Sequence, residues 1–152
     1  MLYSKASEYA IRAMVFLAEQ PEGQLIQLKE VAAREDIPFH FLAKTMQILS
    51  RMDLVRSHRG PRGGFCLARP AAEITLYDIV NPIDHIANYD EVCIIGINPC
   101  NDETPCPLHD DWKKIRESIR STLENKSLQD MVGKLEEKRR IIAERDLTSE
   151  GD

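Results

Sequence analysis

Residues 38–67 read PFHFLAKTMQILSRMDLVRSHRGPRGGFCL, and this stretch decides the fold. Its first half repeats Phe41, Leu42, Thr45, Ile48, Leu49 and Met52 at helical steps, predicting a helix to about Met52 whose inward face these residues form. Pro38 suits its first turn, where a backbone N–H has no partner to lose. The second half holds two short strand candidates, Leu54 to Ser57 and Phe65 to Leu67, divided by Arg59-Gly60-Pro61-Arg62-Gly63-Gly64. A helix followed at once by a hairpin with a basic, glycine-rich tip is the second half of a winged helix.

Upstream, Leu28, Val31 and Ala32 predict a short helix from Leu28 to Glu35, broken at Asp36-Ile37-Pro38, so that two helices meet at a tight turn. Before it, Ser4 can cap a helix reaching about Glu19, with Ala6, Tyr9, Ala10, Ala13, Met14 and Leu17 along one face. Downstream, Leu76, Ile79 and Val80 mark a short helix that Pro82 is expected to end. Residues 1–84 therefore read as a winged helix-turn-helix DNA-binding domain in a mainly α chain with a small two-strand wing.

A recognition helix must present polar and cationic groups outward, and His40, Lys44, Gln47 and Arg51 do so, with Lys44 and Gln47 placed to read bases. Arg59 and Arg62 on the wing can approach a phosphate backbone or minor groove because Gly63 and Gly64 allow a tight turn. Lys5 adds a phosphate contact. A lone basic face is more often merely solvated, but here helix-turn-helix and basic wing occur in winged-helix order. Charge agrees: residues 1–69 carry a net of +3 and residues 70–152 a net of -8, giving the overall -5. The expected partner is double-stranded DNA.

No apolar run approaches the length of a membrane span and Met1 opens a polar amphipathic stretch, so a cytoplasmic protein with no membrane partner is expected. The histidines at 40, 58, 85 and 109 lack a nucleophile at recognisable spacing, so neither an enzyme nor a small-molecule substrate is expected.

Residues 85–106 contain no Lys or Arg, two prolines and three cysteines, and read as a cysteine-rich loop. Cys93, Cys100, Cys106 and His109 form C-x6-C-x5-C-x2-H. In a reducing compartment such soft donors point to metal or redox chemistry, and their wide gaps suit a cofactor larger than a zinc ion. Pro107 at an expected helix start puts the Cys106 sulfur beside amides that favour a thiolate. A structural zinc knuckle, a disulfide-forming thiol switch and simple packing stay open. Cys66, between Phe65 and Leu67, reads as a small packed side chain.

From Pro107 a helical seam returns, Leu108, Trp112, Ile115, Ile119 and Leu123, predicting a long C-terminal dimerisation helix to Asn125. A last helix is expected from Ser127, so that 107–135 holds both helices and 136–152 a charged helix end and tail.

Together S-K-A-S-E-Y-A-I-R-A-M at 4–14, R-G-P-R-G-G-F at 59–65 and the three-cysteine loop resemble the bacterial repressor family of the iron-sulfur regulator IscR and the nitric-oxide-sensitive NsrR. The resemblance covers about residues 1–132. It implies a homodimer whose long helices cross, with each winged helix on one half-site of a palindromic operator. It also implies an iron-sulfur cluster on Cys93, Cys100 and Cys106, with 2Fe-2S favoured over 4Fe-4S. C-P-L-H-D-D-W at 106–112 resembles the family's histidine-bearing stretch and makes His109 the fourth ligand, while relatives with a carboxylate on the first helix point to Glu8 as the alternative. The function so implied is a repressor sensing iron-sulfur status, redox state or nitric oxide. Asp102, Glu103, Asp110 and Asp111 would surround the cluster with negative charge and lower its reduction potential.

Overall fold

A computed structural model of the chain describes residues 2–149. The elements run α1 (Lys5–Ala18), α2 (Leu28–Arg34), α3 (Phe39–Arg51), β1 (Val55–His58), β2 (Gly64–Leu67), a 3-10 turn (Ala71–Glu73), α4 (Leu76–Asp84), a second 3-10 turn (Ile86–Glu91), α5 (His109–Glu124) and α6 (Leu128–Ser149). This is a mainly helical winged helix, as the 38–67 stretch implies.

Helix α1 is the hub. Ser4 caps it, its hydroxyl accepting from the Ser7 N–H at 3.3 Å, and both of its flanks are apolar enough to pack against α3, α4 and α6 at once. Ala10, Ala13 and Met14 are fully buried there, the two alanines letting the neighbouring helices come close and Met14 filling the space between them. Asp36 makes the turn between α2 and α3 in the left-handed region at φ 49°, a conformation Asp tolerates better than most residues. Ile37 beside it is buried and donates its N–H to Ala32 O at 2.9 Å, which fixes the angle between the two helices.

The wing pairs Val55 with Leu67, Arg56 with Cys66, Ser57 with Phe65 and His58 with Gly64 in antiparallel register. Ile26 adds an isolated bridge, its N–H donating to Phe65 O at 2.9 Å and its carbonyl accepting from Phe65 N–H at 2.8 Å. Two glycines are required here. A Cβ on Gly64 would lie 2.5 Å from Ile26 O and one on Gly63 2.1 Å from His58 O, so any larger residue would push the hairpin apart.

The structure departs from the sequence reading in five places. Phe41 and Met52 are 61% and 53% exposed, because helical spacing alone cannot tell the centre of an apolar face from its rim; Leu42, Thr45, Met46 and Leu49 are the buried set. Pro82 does not end α4, which continues to Asp84 and closes at a left-handed His85; near the last turn, a proline removes few helical bonds. Helix α5 begins at His109, two residues after Pro107, since Cys106 O takes the His109 N–H at 3.0 Å in a turn that precedes it. Helix α6 extends to Ser149, so the expected charged helix end takes up most of the stretch read as tail, with residues 136–145 exposed; the rest of the expected tail, residues 150–152, lies outside the described residues.

The fifth departure concerns the core, which crosses the boundary drawn at residue 84. Leu123, Leu128 and Val132 are buried in the same cluster as α1 and α4. A short bridge pairs Thr75 with Ser127, in which Leu76 N–H donates to Lys126 O at 2.8 Å and Leu128 N–H to Ile74 O at 2.9 Å. Arg139 on α6 reaches Glu19 at the end of α1 at 2.6 Å. The last helix is thereby folded back onto the winged domain.

Candidate cysteine centre and nucleic-acid interface

The face of α3 opposite its buried set carries His40, Lys44, Gln47 and Arg51, all exposed and 1.5 Å apart per residue along one helix. Arg59 and Arg62 stand exposed at the wing tip. The two sets come from consecutive elements, packed against each other through α3 and β1. Lys5 is exposed and lies 2.7 Å from Glu8 in an ion pair, which an exposed lysine can give up at a cost of at most about 1 kcal/mol.

Residues 92–106 bring the three cysteines together: one sulfur from each of Cys93, Cys100 and Cys106 lies within 4.8 Å of the others. Cys93 and Cys106 are 3.7 Å apart. Cys93 is buried and the other two half-buried. His109, the first residue of α5, is only 8% exposed and turns Nδ1 to Cys100 Sγ at 3.2 Å. Of the four residues predicted as donors, the three cysteines therefore form one group, and His109 meets it through Cys100 where the loop runs into α5.

Burial resists ionisation of Cys93, but the Ile95 and Ile97 amides and the thiols of Cys106 and Cys100 donate to its sulfur and bring its pKa below the ordinary thiol value. For Cys106 the balance is reversed. The Leu108 amide favours its thiolate, yet burial and the neighbouring Cys100 and Cys93 sulfurs push the thiol up. Two chain amides serve the Cys93 sulfur and a single amide serves that of Cys106. Three sulfurs crowded within 4.8 Å of one another are a soft donor set for a cation. With an imidazole nitrogen alongside, the set fits a thiolate-bound metal or cluster.

Glu8, the alternative fourth ligand that would reach a partner's cluster, lies outside the cysteine group of its own chain. Its carboxylate is taken by Lys5 at 2.7 Å and Arg12 at 3.9 Å on its own helix. The seam residues divide: Leu108 and Ile115 are exposed, Trp112 and Ile119 half-buried, and Leu123 is 3% exposed within its own protomer's core, unavailable to a partner. Cys66 is buried in the wing, away from the other three. Two residues of the site escaped the sequence reading. Asp102 was weighed only as charge, and Lys113 not at all, although Lys113 stands one helical turn beyond His109; they bond to each other at 3.1 Å, and Asp102 accepts from His109. The negative field expected from Asp102 is accordingly offset by Lys113, while the hydrogen bonds from His109 and Lys113 hold its carboxyl below the usual carboxylate range.

A helix-turn-helix and basic wing on one core, with a thiol centre at the foot of a further helix, define a winged-helix transcriptional regulator. The chain belongs to the Rrf2 family, described as iron-dependent transcriptional regulators, whose profile matches residues 3–134. A Mycobacterium tuberculosis protein with the provisional description of HTH-type transcriptional regulator is 40% identical over 134 residues, 88% of this chain and 82% of its own. Among solved structures, IscR of T. potens is similar with a TM-score of 0.72 and 27% identity, over 89% of this chain and 88% of its own. CymR of B. subtilis, titled the global cysteine regulator, gives 0.70 and 25% over 86% and 95%. The protein is thus a DNA-binding regulator and not an enzyme. Among the described residues no helix is long and apolar enough to cross a membrane.

Proposed function

We propose that this regulator controls its operator affinity through an iron-sulfur cluster, 2Fe-2S in preference to 4Fe-4S, on Cys93, Cys100, Cys106 and His109. The observation that carries this reading is the convergence of the three sulfurs within 4.8 Å, from positions spread over a loop that has no other evident task. When bound, a cluster supplies a centre that iron-sulfur status, redox state or nitric oxide can alter. The chain's own part is to order residues 92–106 against α5 and so to set that helix.

Two copies pair through Leu108, Trp112, Ile115 and Ile119 of α5, which leaves Leu123 to the protomer's core. Lys44 and Gln47 read bases in each half of a palindromic operator, while His40, Arg51, Arg59, Arg62 and Lys5 contact the backbone or groove walls. A change in α5 alters the spacing of the two reading heads, and with it the fit to an operator of fixed half-site separation.

Anaerobic purification followed by visible absorption and iron and sulfide analysis tests this. Wild-type protein should be coloured and Cys93→Ala colourless; equal iron in both would end the cluster reading. The 3.7 Å between Cys93 and Cys106 favours a second reading, a thiol switch in which an oxidant takes two electrons, the sulfurs join and two protons leave. Colourless wild-type protein that loses two titratable thiols on oxidation would select it.

A further inference from the structure

His109 makes contacts through both ring nitrogens. Nδ1 lies 3.2 Å from Cys100 Sγ and Nε2 lies 3.0 Å from Asp102 Oδ1. Lys113 closes the arrangement, its ammonium donating to both Asp102 oxygens at 3.1 and 3.2 Å. A carboxylate paired with an ammonium can only accept, so in a neutral ring the proton sits on Nε2 and is donated to Asp102. Nδ1 is then left as a lone pair facing the sulfurs.

We propose that Asp102, held by Lys113, is a positioning residue that fixes the tautomer and orientation of His109 and makes Nδ1 its metal-binding atom. What is bound there rests on the cluster reading above; the bracing is a property of the chain alone. Asp102 is 75% exposed, so its ion pair adds little to stability and its effect lies in orientation. Carboxylates behind ligating histidines act in this way, setting the ring and strengthening the nitrogen as a donor. The brace also has a mechanical consequence. Asp102 belongs to the loop and Lys113 to α5, so the loop cannot swing away from the helix without releasing His109.

Three measurements test the brace. In metal-free protein, ring-nitrogen NMR of His109 should show the proton on Nε2 in wild type and in Asp102→Asn, whose amide oxygen still accepts, and a mixture of tautomers in Asp102→Ala and Lys113→Ala. In anaerobically reconstituted protein labelled with isotope at histidine Nδ1, pulsed EPR of the reduced centre should show direct coupling to the label. Iron loss to a chelator should be about 10–100-fold faster in Asp102→Ala. A wild-type proton on Nδ1, coupling through Nε2, or an Asp102→Ala variant identical to wild type in both tautomer and iron loss would overturn the proposal. Wild-type protein that takes up no iron would instead remove the cluster reading, and the metal-free ring would then decide the brace alone.

Discussion

Lys44 and Cys100 belong to the two sites proposed above, but they are held in place by different means. Lys44 stands on a helix whose opposite face, Leu42, Met46 and Leu49, has no exposure at all, so its position is set by a packed core. Cys100 stands in a loop where Val92, Ile94, Ile95 and Ile97 are all exposed, and its position depends on a few polar contacts with His109 and its neighbours. The reading head is therefore complete in the folded chain. The cysteine centre is assembled but lightly held, which suits a site that responds to what it binds.

The largest effect that would test this contrast is in the core. Leu42→Ala should lower the unfolding free energy by about 2–5 kcal/mol, read from the denaturant midpoint, since it leaves a cavity beneath the recognition helix. Next, Lys44→Ala should cost about 1–3 kcal/mol of affinity for the operator and little for unrelated DNA. Arg59→Ala and Arg62→Ala should weaken binding to every sequence and flatten the salt dependence by about 0.9 each in log-log slope, measured by fluorescence titration. Unchanged affinity in the double variant would remove the wing from the interface.

Smaller effects are expected where the chain is lightly held. Ile97→Ala should change the stability of metal-free protein by less than about 0.5 kcal/mol, and a larger loss would show that the loop is more firmly packed than its exposure implies. Smallest is an acid effect at the start of α6. The backbone N–H and hydroxyl of Ser127 donate to Asp130 and hold its carboxyl below the ordinary range. Its contribution is full above the unfolded pKa and lost as pH falls through the lower folded value, so the thermal midpoint of Asp130→Asn should fall less steeply in acid than that of wild type.

Much of the reading head was legible because its information is local. Periodicity, caps and turn residues within 38–67 predict α3, both strands and the outward set His40, Lys44, Gln47 and Arg51 without reference to the rest of the chain. The cysteines were legible as candidate donors for a different reason: three thiols fall close together in one loop. The place of Leu123 was not legible, because a seam at helical spacing looks alike whether it faces a partner or its own core.

By itself, then, the sequence determined the winged helix, its basic face and the cysteines that could serve as donors, all of which follow from residue type and short-range spacing. Tertiary structure alone decided that α6 folds back onto α1, that the three cysteine sulfurs meet, and that Asp102 and Lys113 stand behind His109. Each of these depends on which groups meet across a fold, and the free energy of a hydrogen bond or a buried charge is set by its neighbours in space.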